Sequence, residues 1–408
     1  MTRRVRIPLI TVSLALMLYI GLGGVLSKGG ADNANEKTYK DLGVYEEVLS
    51  RIKQDYVTEP NLKKVTDGAV RGLLESLDPY STYFTPQEFQ EYQAHPQPGP
   101  ADVGLFLSKK MGFTTVISVL PGSPADKAGV KAGDLLDRVE NESTRELSVV
   151  QLDRLIAGQP GTNLTIWIVK EARGEPQKVT MTREVMANSP VVAKMAEGTT
   201  AYIRVATLNK GKALEISKKL KDMVAANHAD KVVLDLRNCA GGEVTEAVDV
   251  VSLFLDRGLV TYAQGQRYPR QDFPVKPEGS VFKMPLVVLI NQSTAGPAEL
   301  VASAMLGNHR GDVVGVPSFG EGVVQKTIAV GDGSGLLLSV AKYYGYDGKP
   351  ISGNGITPNV VEQATNEAAS SDDDNAPDEP EQLGGKDDLQ LQKALEILKQ
   401  QITPAKAA

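Results

Sequence analysis

The chain has 408 residues, a formal net charge of −6 at pH 7 and a pI near 5.4, with room for two or three domains and a substantial core. The acidic balance and the lack of a basic aromatic motif exclude nucleic acid as an expected partner. One cysteine, Cys239, excludes an intrachain disulfide framework and reads as a buried structural thiol.

In chain order, three arginines precede about twenty mostly apolar residues in Met1 to Leu26, which matches a signal peptide or a single membrane anchor. No Ala-x-Ala site follows and no cysteine is present for lipidation. The favoured reading is an uncleaved anchor over residues 1–30, with the arginines cytoplasmic and the body in the cell envelope on the periplasmic, extracytoplasmic side of the cytoplasmic membrane. A helical arm is expected over 36–95: Leu42, Val44, Tyr45, Val48, Leu49 and Ile52 recur at helical spacing, and a second helix spans about Leu62 to Leu77. After the proline-rich boundary His95-Pro-Gln-Pro-Gly-Pro100, residues 99–183 alternate short β-runs with glycine turns, as expected of a mostly β domain.

Residues 184–364 alternate apolar strands such as Lys231-Val-Val-Leu-Asp-Leu236 and Pro285-Leu-Val-Val-Leu-Ile290 with helices. This is the pattern of an α/β domain with a mostly parallel sheet covered on both faces. Functional loops belong at the C-terminal ends of such strands, which points to Asn238–Gly242 and Gln292–Pro297 as one shared site. The second of these lies between a strand and Ala298-Glu-Leu-Val-Ala-Ser-Ala-Met-Leu306, read as an amphipathic helix whose free N–H groups can stabilise an anion. Residues 365–387 are an acidic linker expected to be disordered, and 388–402 a short amphipathic helix.

Five stretches recur together in one known order. They are Leu73-Leu-Glu-Ser-Leu-Asp-Pro-Tyr-Ser-Thr-Tyr-Phe-Thr-Pro86, Gly122-Ser-Pro-Ala-Asp-Lys-Ala-Gly-Val-Lys-Ala-Gly-Asp134, and Val233-Leu-Asp-Leu-Arg-Asn-Cys-Ala-Gly-Gly242. The other two are Val314-Gly-Val-Pro-Ser-Phe-Gly-Glu-Gly-Val-Val-Gln325, joined to Leu289-Ile-Asn291, and Ala341-Lys-Tyr-Tyr-Gly-Tyr-Asp-Gly-Lys-Pro-Ile351 with Gly355-Ile-Thr-Pro-Asn359. The chain thereby resembles the C-terminal processing peptidases, or tail-specific proteases, which are serine peptidases with a Ser/Lys dyad. The resemblance implies an α/β multidomain fold: a helical N-terminal arm, an inserted PDZ domain over 99–183 and a peptidase core.

The departures from the family pattern carry the functional reading. Aligned on Asn291 and Glu299, the nucleophilic serine falls on Gly296, and the general-base lysine falls on Glu321. Gln325, the position that supports the lysine, is kept. The resemblance places the oxyanion donors on Gly241 or Gly242 and on Pro297, which has no N–H to give. The PDZ carboxylate loop corresponds to Gly104, Leu105, Phe106 and Leu107, with Phe106 where a second glycine is usual, so carboxylate capture is expected to be weakened. Asp235, Arg237, Glu243 and Glu246 are assigned a structural role. His95, His228 and His309 form no triad order or metal-ligand spacing, so no metal and no cofactor are expected.

The function implied is a non-catalytic family member that binds polypeptide C-termini or unfolded tails through its PDZ domain. It would act as a scaffold or regulator, as a homo-oligomer or with an active peptidase relative. The alternative is an active endopeptidase cleaving near substrate C-termini with a displaced nucleophile, Thr294 foremost. A third reading makes the vacated site a pocket in which Glu321 faces a basic group.

Overall fold

The computed structural model describes residues 42–110, 112–170, 174–186, 188–279, 282–364 and 383–401. Of these, residues 42–72 belong to one compact unit and those from Leu73 to a second. In the first, residues 42–55 (α1) are helical, and Tyr45 Oη donates to the Ala69 carbonyl on helix α2 (Leu62–Glu75) at 3.4 Å.

The anchor expected over residues 1–30 falls outside the described residues. Among the described residues no helix is long and apolar enough to cross a membrane. The expectation of a single-pass anchor with an extracytoplasmic body is therefore corrected: no spanning helix stands among the described residues to support it.

Two elements follow in the larger unit: β1 (Thr82–Phe84), a strand inside the segment expected to be a helical arm, and α3 (Pro86–Ala94). A complete capping box sets the start of α3, with Thr85 Oγ1 accepting from Glu88 N and Glu88 Oε2 from Thr85 N.

The next domain is mostly β: β2 (Leu105–Lys110), β3 (Phe113–Val119), short helix α4 (Pro124–Lys127), β4 (Leu135–Val139), β5 (Glu142–Ser143), α5 (Val149–Ile156), β6 (Asn163–Val169) and β7 (Gln177–Thr182). The sheet order is β2-β3-β4-β6-β7, with β5 paired to β4. Leu107, Val116, Leu136, Val139, Leu152, Leu164, Ile166 and Ile168 fill its core. Strand β2 lies at the sheet edge with α5 packed beside it, so one row of backbone groups is open to an added strand.

The core domain contains β8 (Val192–Met195), β9 (Thr200–Arg204), α6 (Lys212–Asn227), β10 (Lys231–Asp235), α7 (Val244–Ser252), β11 (Leu259–Gln264), β12 (Gln271–Pro274), β13 (Leu286–Ile290), α8 (Pro297–Gly307), β14 (Asp312–Gly315), β15 (Val323–Ala329), β16 (Gly335–Tyr344) and β17 (Val360–Val361). The sheet β17-β14-β13-β10-β9-β8 is parallel except for β8.

Alternation along these strands explains why both faces are apolar. Ile203, Val232, Leu234, Val288 and Ile290 face the core that includes α6, α7 and α8. Tyr202, Val233, Val287, Leu289 and Val314 face the last helix, α9 (Leu389–Gln400), through Leu391, Ala394 and Leu398. A buried network pins α9. Arg237 Nη2 donates to Asp388 Oδ2 and Asp235 Oδ2, both at 2.6 Å, and Tyr202 Oη donates to Asp235 Oδ2 at 2.6 Å. Burial works to raise the Asp388 carboxyl, and the Arg237 contacts outweigh it and hold it below the usual carboxylate range.

Two features differ from the sequence expectation. Helix α8 is not amphipathic: Ala298 through Leu306 are all buried, as befits a helix that is apolar on every side. A second, antiparallel sheet, β1-β16-β11-β12 with β15 on β16, joins the core. Its strand β1 pairs Thr82–Phe84 with Leu337–Gly335, which carries the Asp78–Ser81 turn to the site.

Candidate active site

Strand β13 ends at Ile290, and the turn that follows is tied to the loop after β10. Asn291 Oδ1 accepts from Asn238 N at 2.9 Å, and Asn291 Nδ2 donates to Asn238 Oδ1 at 2.7 Å. Thr294 Oγ1 donates to the Leu236 carbonyl at 2.8 Å and accepts from Asn291 N, and Ala295 N donates to the Cys239 carbonyl. Both strand ends are thereby locked face to face.

The turn delivers Gly296 at φ 62° and ψ −125° to the N-terminus of α8. That backbone is costly for any residue with a side chain, and it matches the strained elbow on which a nucleophile is exposed between strand and helix. Pro297 follows as the first helical residue, where its missing N–H costs the helix nothing.

Glu299, in the first turn of α8, is the hub of the site. Its carboxylate accepts from Gly296 N at 2.9 Å, Gly320 N at 2.8 Å, Glu321 N at 2.7 Å and Ser318 Oγ at 2.5 Å. Four donors from two segments thus meet one carboxylate and fix the Ser318–Glu321 loop against the elbow. Burial pushes the Glu299 carboxyl up, and the four hydrogen bonds pull it down toward the ionised form that accepts them. Sequence reasoning used Glu299 only for alignment; its signal was a lone charge in an otherwise apolar helix.

The result is a cavity of about 200 Å³ lined by Tyr80, Gly242, Val244, Gly296, Pro297, Leu300, Glu321, Gly322, Val323, Gln325 and Tyr343. It brings together the positions that sequence reasoning associated with nucleophile, base, support and oxyanion donor. A Cβ at Gly296 would stand 3.6 Å from Glu321 Oε2. Burial pushes the Glu321 carboxyl up to about 7. Gln325 Nε2 donates to the Tyr80 carbonyl at 2.7 Å. Tyr80 was missed as a site residue, because only the pairing of β1 with β16 places it there. Burial, with the Glu321 charge second, raises its phenol above the ordinary value.

Gly241 and Gly242 take φ values of 73° and 112°, and neither N–H has an acceptor among the described residues. A Cβ on Gly242 would lie 2.3 Å from the Leu208 backbone, and one on Gly241 would lie 2.5 Å from Phe106 Cε1. The second contact locates Phe106. Its ring packs over the glycine loop with Ile117, Ala240, Ala295 and Phe319, and Ser118 Oγ donates to the Asn238 carbonyl at 2.7 Å. The β domain thus rests on the cavity's glycine loop. Gly104, at φ 81°, donates its N–H to Asp102 Oδ1 at 2.6 Å, and Leu105 pairs with Val119. Leu107 is buried in that domain's core.

The remaining sequence candidates lie elsewhere. Asp235 and Arg237 belong to the α9 network, and Glu246 accepts from Gly211 N and Ala213 N at the start of α6. Glu243 accepts from Thr245 Oγ1. Cys239 is buried, and burial raises its thiol.

Over 355 residues the chain is 31% identical to the carboxy-terminal processing protease CtpA of Bacillus subtilis, an alignment that covers 86% of this chain and 74% of the relative. The chain belongs to the C-terminal processing peptidase family. The model of peptidase family S41 matches residues 199–362, that of the PDZ domain 115–170, and that of the activating protease CtpB N-terminal domain 25–87. A carboxy-terminal-processing protease of Bartonella bacilliformis is 28% identical over 341 residues, covering 83% of this chain and 78% of its own length. The solved structure of the photosystem II D1 C-terminal processing protease superposes with a TM-score of 0.64 at 24% identity, over 78% of this chain and 92% of that one. That likeness shows the shared fold: helical N-terminal region, PDZ domain and S41 core.

Proposed function

We propose that this member of the C-terminal processing peptidase family has exchanged peptide hydrolysis for peptide binding. Its PDZ domain takes polypeptide C-termini or unfolded tails, and its core serves as a scaffold or regulator in place of a catalyst. One observation carries this reading. Positions 296, 297 and 321 converge on one cavity, and they present a glycine, a proline and a carboxylate where the family's dyad and second oxyanion donor call for a serine, an N–H and a lysine.

Hydrolysis through a Ser/Lys dyad requires a hydroxyl, a neutral lysine and preorganised donors. Among the described residues no lysine lines the cavity. Two neighbouring hydroxyls are committed elsewhere: Thr294 to Leu236, and Ser318 to Glu299 while accepting from Ile356 N. Thr294 is fully buried, which counts against the reading that makes it a displaced nucleophile. Loss of a nucleophile alone costs about 10⁶ in rate in comparable enzymes.

On the PDZ side, the unpaired edge of β2 beside α5 supports strand addition. The Phe106 ring packs over the glycine loop of the core. The test is anisotropy of a labelled peptide with an apolar C-terminus, free or amidated, beside a digestion of an unstructured substrate. Binding that needs the free carboxylate, with no cleavage, is expected. Cleavage, or equal binding of the amidated peptide, would refute the proposal.

A further inference from the structure

The cavity has a chemical character of its own. Glu321 spends its backbone N–H on Glu299, while its carboxylate receives no hydrogen bond from any described residue. No lysine, arginine or histidine is among the residues lining the space. A recessed carboxyl without a counter-charge tends to keep its proton, and a cation placed beside it favours the ionised, paired form. The space in front of it is open because Gly296 has no side chain: a Cβ there would already be in van der Waals contact with Oε2 at 3.6 Å.

The walls suit the rest of a basic side chain. Tyr80 and Tyr343 supply aromatic surface, and Val244 and Leu300 supply apolar surface, which together accept an alkyl stem and a cationic head. At about 200 Å³ the cavity is smaller than sites for whole small molecules, roughly 300–1,000 Å³, and fits one side chain. Asp153 of α5 lies near enough to Glu321 that, after burial, the Glu321 charge helps to raise its carboxyl.

We propose that the cavity at the vacated dyad positions binds a lysine or arginine side chain of the polypeptide held by the PDZ domain, with Glu321 as its counter-charge. This rests on the reading of the chain as a tail binder. It makes recognition two-point: a C-terminal carboxylate at β2 and a basic residue upstream at Glu321.

The test uses the full chain and peptides that share one apolar C-terminus and carry lysine, arginine or norleucine at a single scanned internal position. At the right spacing, the lysine or arginine peptide should bind about tenfold more tightly than the norleucine peptide, the gain of one charge-assisted contact. Glu321→Gln should abolish this preference. Glu321→Lys should transfer it to a peptide carrying glutamate, a gain that misfolding cannot imitate. Equal affinity of lysine and norleucine peptides at every spacing, or a preference that persists in Glu321→Gln, would overturn the proposal. Amidation of the C-terminus tests the tail-binding reading separately: if it leaves affinity unchanged while the lysine preference holds, that reading fails and the cation site stands.

Discussion

Replacing Glu321 by glutamine should stabilise the protein, by an amount that grows as pH rises from about 4.5 to about 7 and is constant above that. The carboxyl is raised by burial from its usual 4.5 to about 7. Between those two values the folded state holds a proton that the unfolded chain has lost, so stability falls as pH rises through this window and levels off above it. The full shift would amount to at most about 3 kcal/mol. Because the group lines an open cavity, water screens part of the penalty, and about 1–2 kcal/mol is expected. Glutamine keeps the shape and removes the charge. Relief also reaches Asp153, whose carboxyl is raised to about 7 by burial first and by Glu321 second.

The assay is thermal unfolding followed by far-UV circular dichroism at pH 4.5 and pH 8. Tryptophan fluorescence would not serve, since the single Trp167 lies on β6 of the PDZ domain. Glu321→Gln should match the natural chain at pH 4.5 and melt about 2–8 °C higher at pH 8, taking roughly 2–4 °C per kcal/mol for a core that unfolds as a unit of about 150–250 residues. A lower melting temperature at pH 8 would show that the carboxylate has a stabilising partner, and would refute the reasoning.

Three other changes test the frame around the cavity. Glu299→Gln, although isosteric, should destabilise by about 2–4 kcal/mol, because each carboxylate oxygen accepts two donors and either placement of the amide N–H₂ group sets donors against donors; urea unfolding reads it. Gly296→Ala should cost about 1–3 kcal/mol at φ 62° although the cavity has room for the methyl group, and an unchanged urea midpoint would contradict that backbone assignment. Leu398→Ala on α9 should cost about 2–5 kcal/mol by opening the packing on Val233 and Leu289; a loss below about 0.5 kcal/mol in the same assay would mean that α9 is dispensable.

Much of the core was legible in the sequence because its strands are short apolar runs buried on both faces, and Lys231–Asp235 and Leu286–Ile290 carry that signature in full. The convergence of Gly242, Gly296 and Glu321 was accessible through ordered motifs. What escaped depends on partners distant in the chain. Strand β15 is largely exposed and owes its place to β16, so local hydrophobicity gives little sign of the second sheet. Tyr80 reaches the cavity only because β1 pairs with residues some 250 positions later. Phe106 was read as a defect in a carboxylate loop, whereas its ring covers Gly241 across a domain boundary that no periodicity reveals. The burial of Glu299 was hidden because its four donors come from a turn and a loop, not from its own helix face.

The most direct test of the central claim is digestion of an unstructured substrate with an apolar C-terminus by the natural chain and by the triple variant Gly296→Ser, Pro297→Ala, Glu321→Lys. The account predicts that the natural chain leaves the substrate intact and that the triple variant cleaves it, since a side chain at 296 would stand within reach of one at 321. Cleavage by the natural chain above the buffer background would contradict it, and would place a working nucleophile somewhere other than position 296.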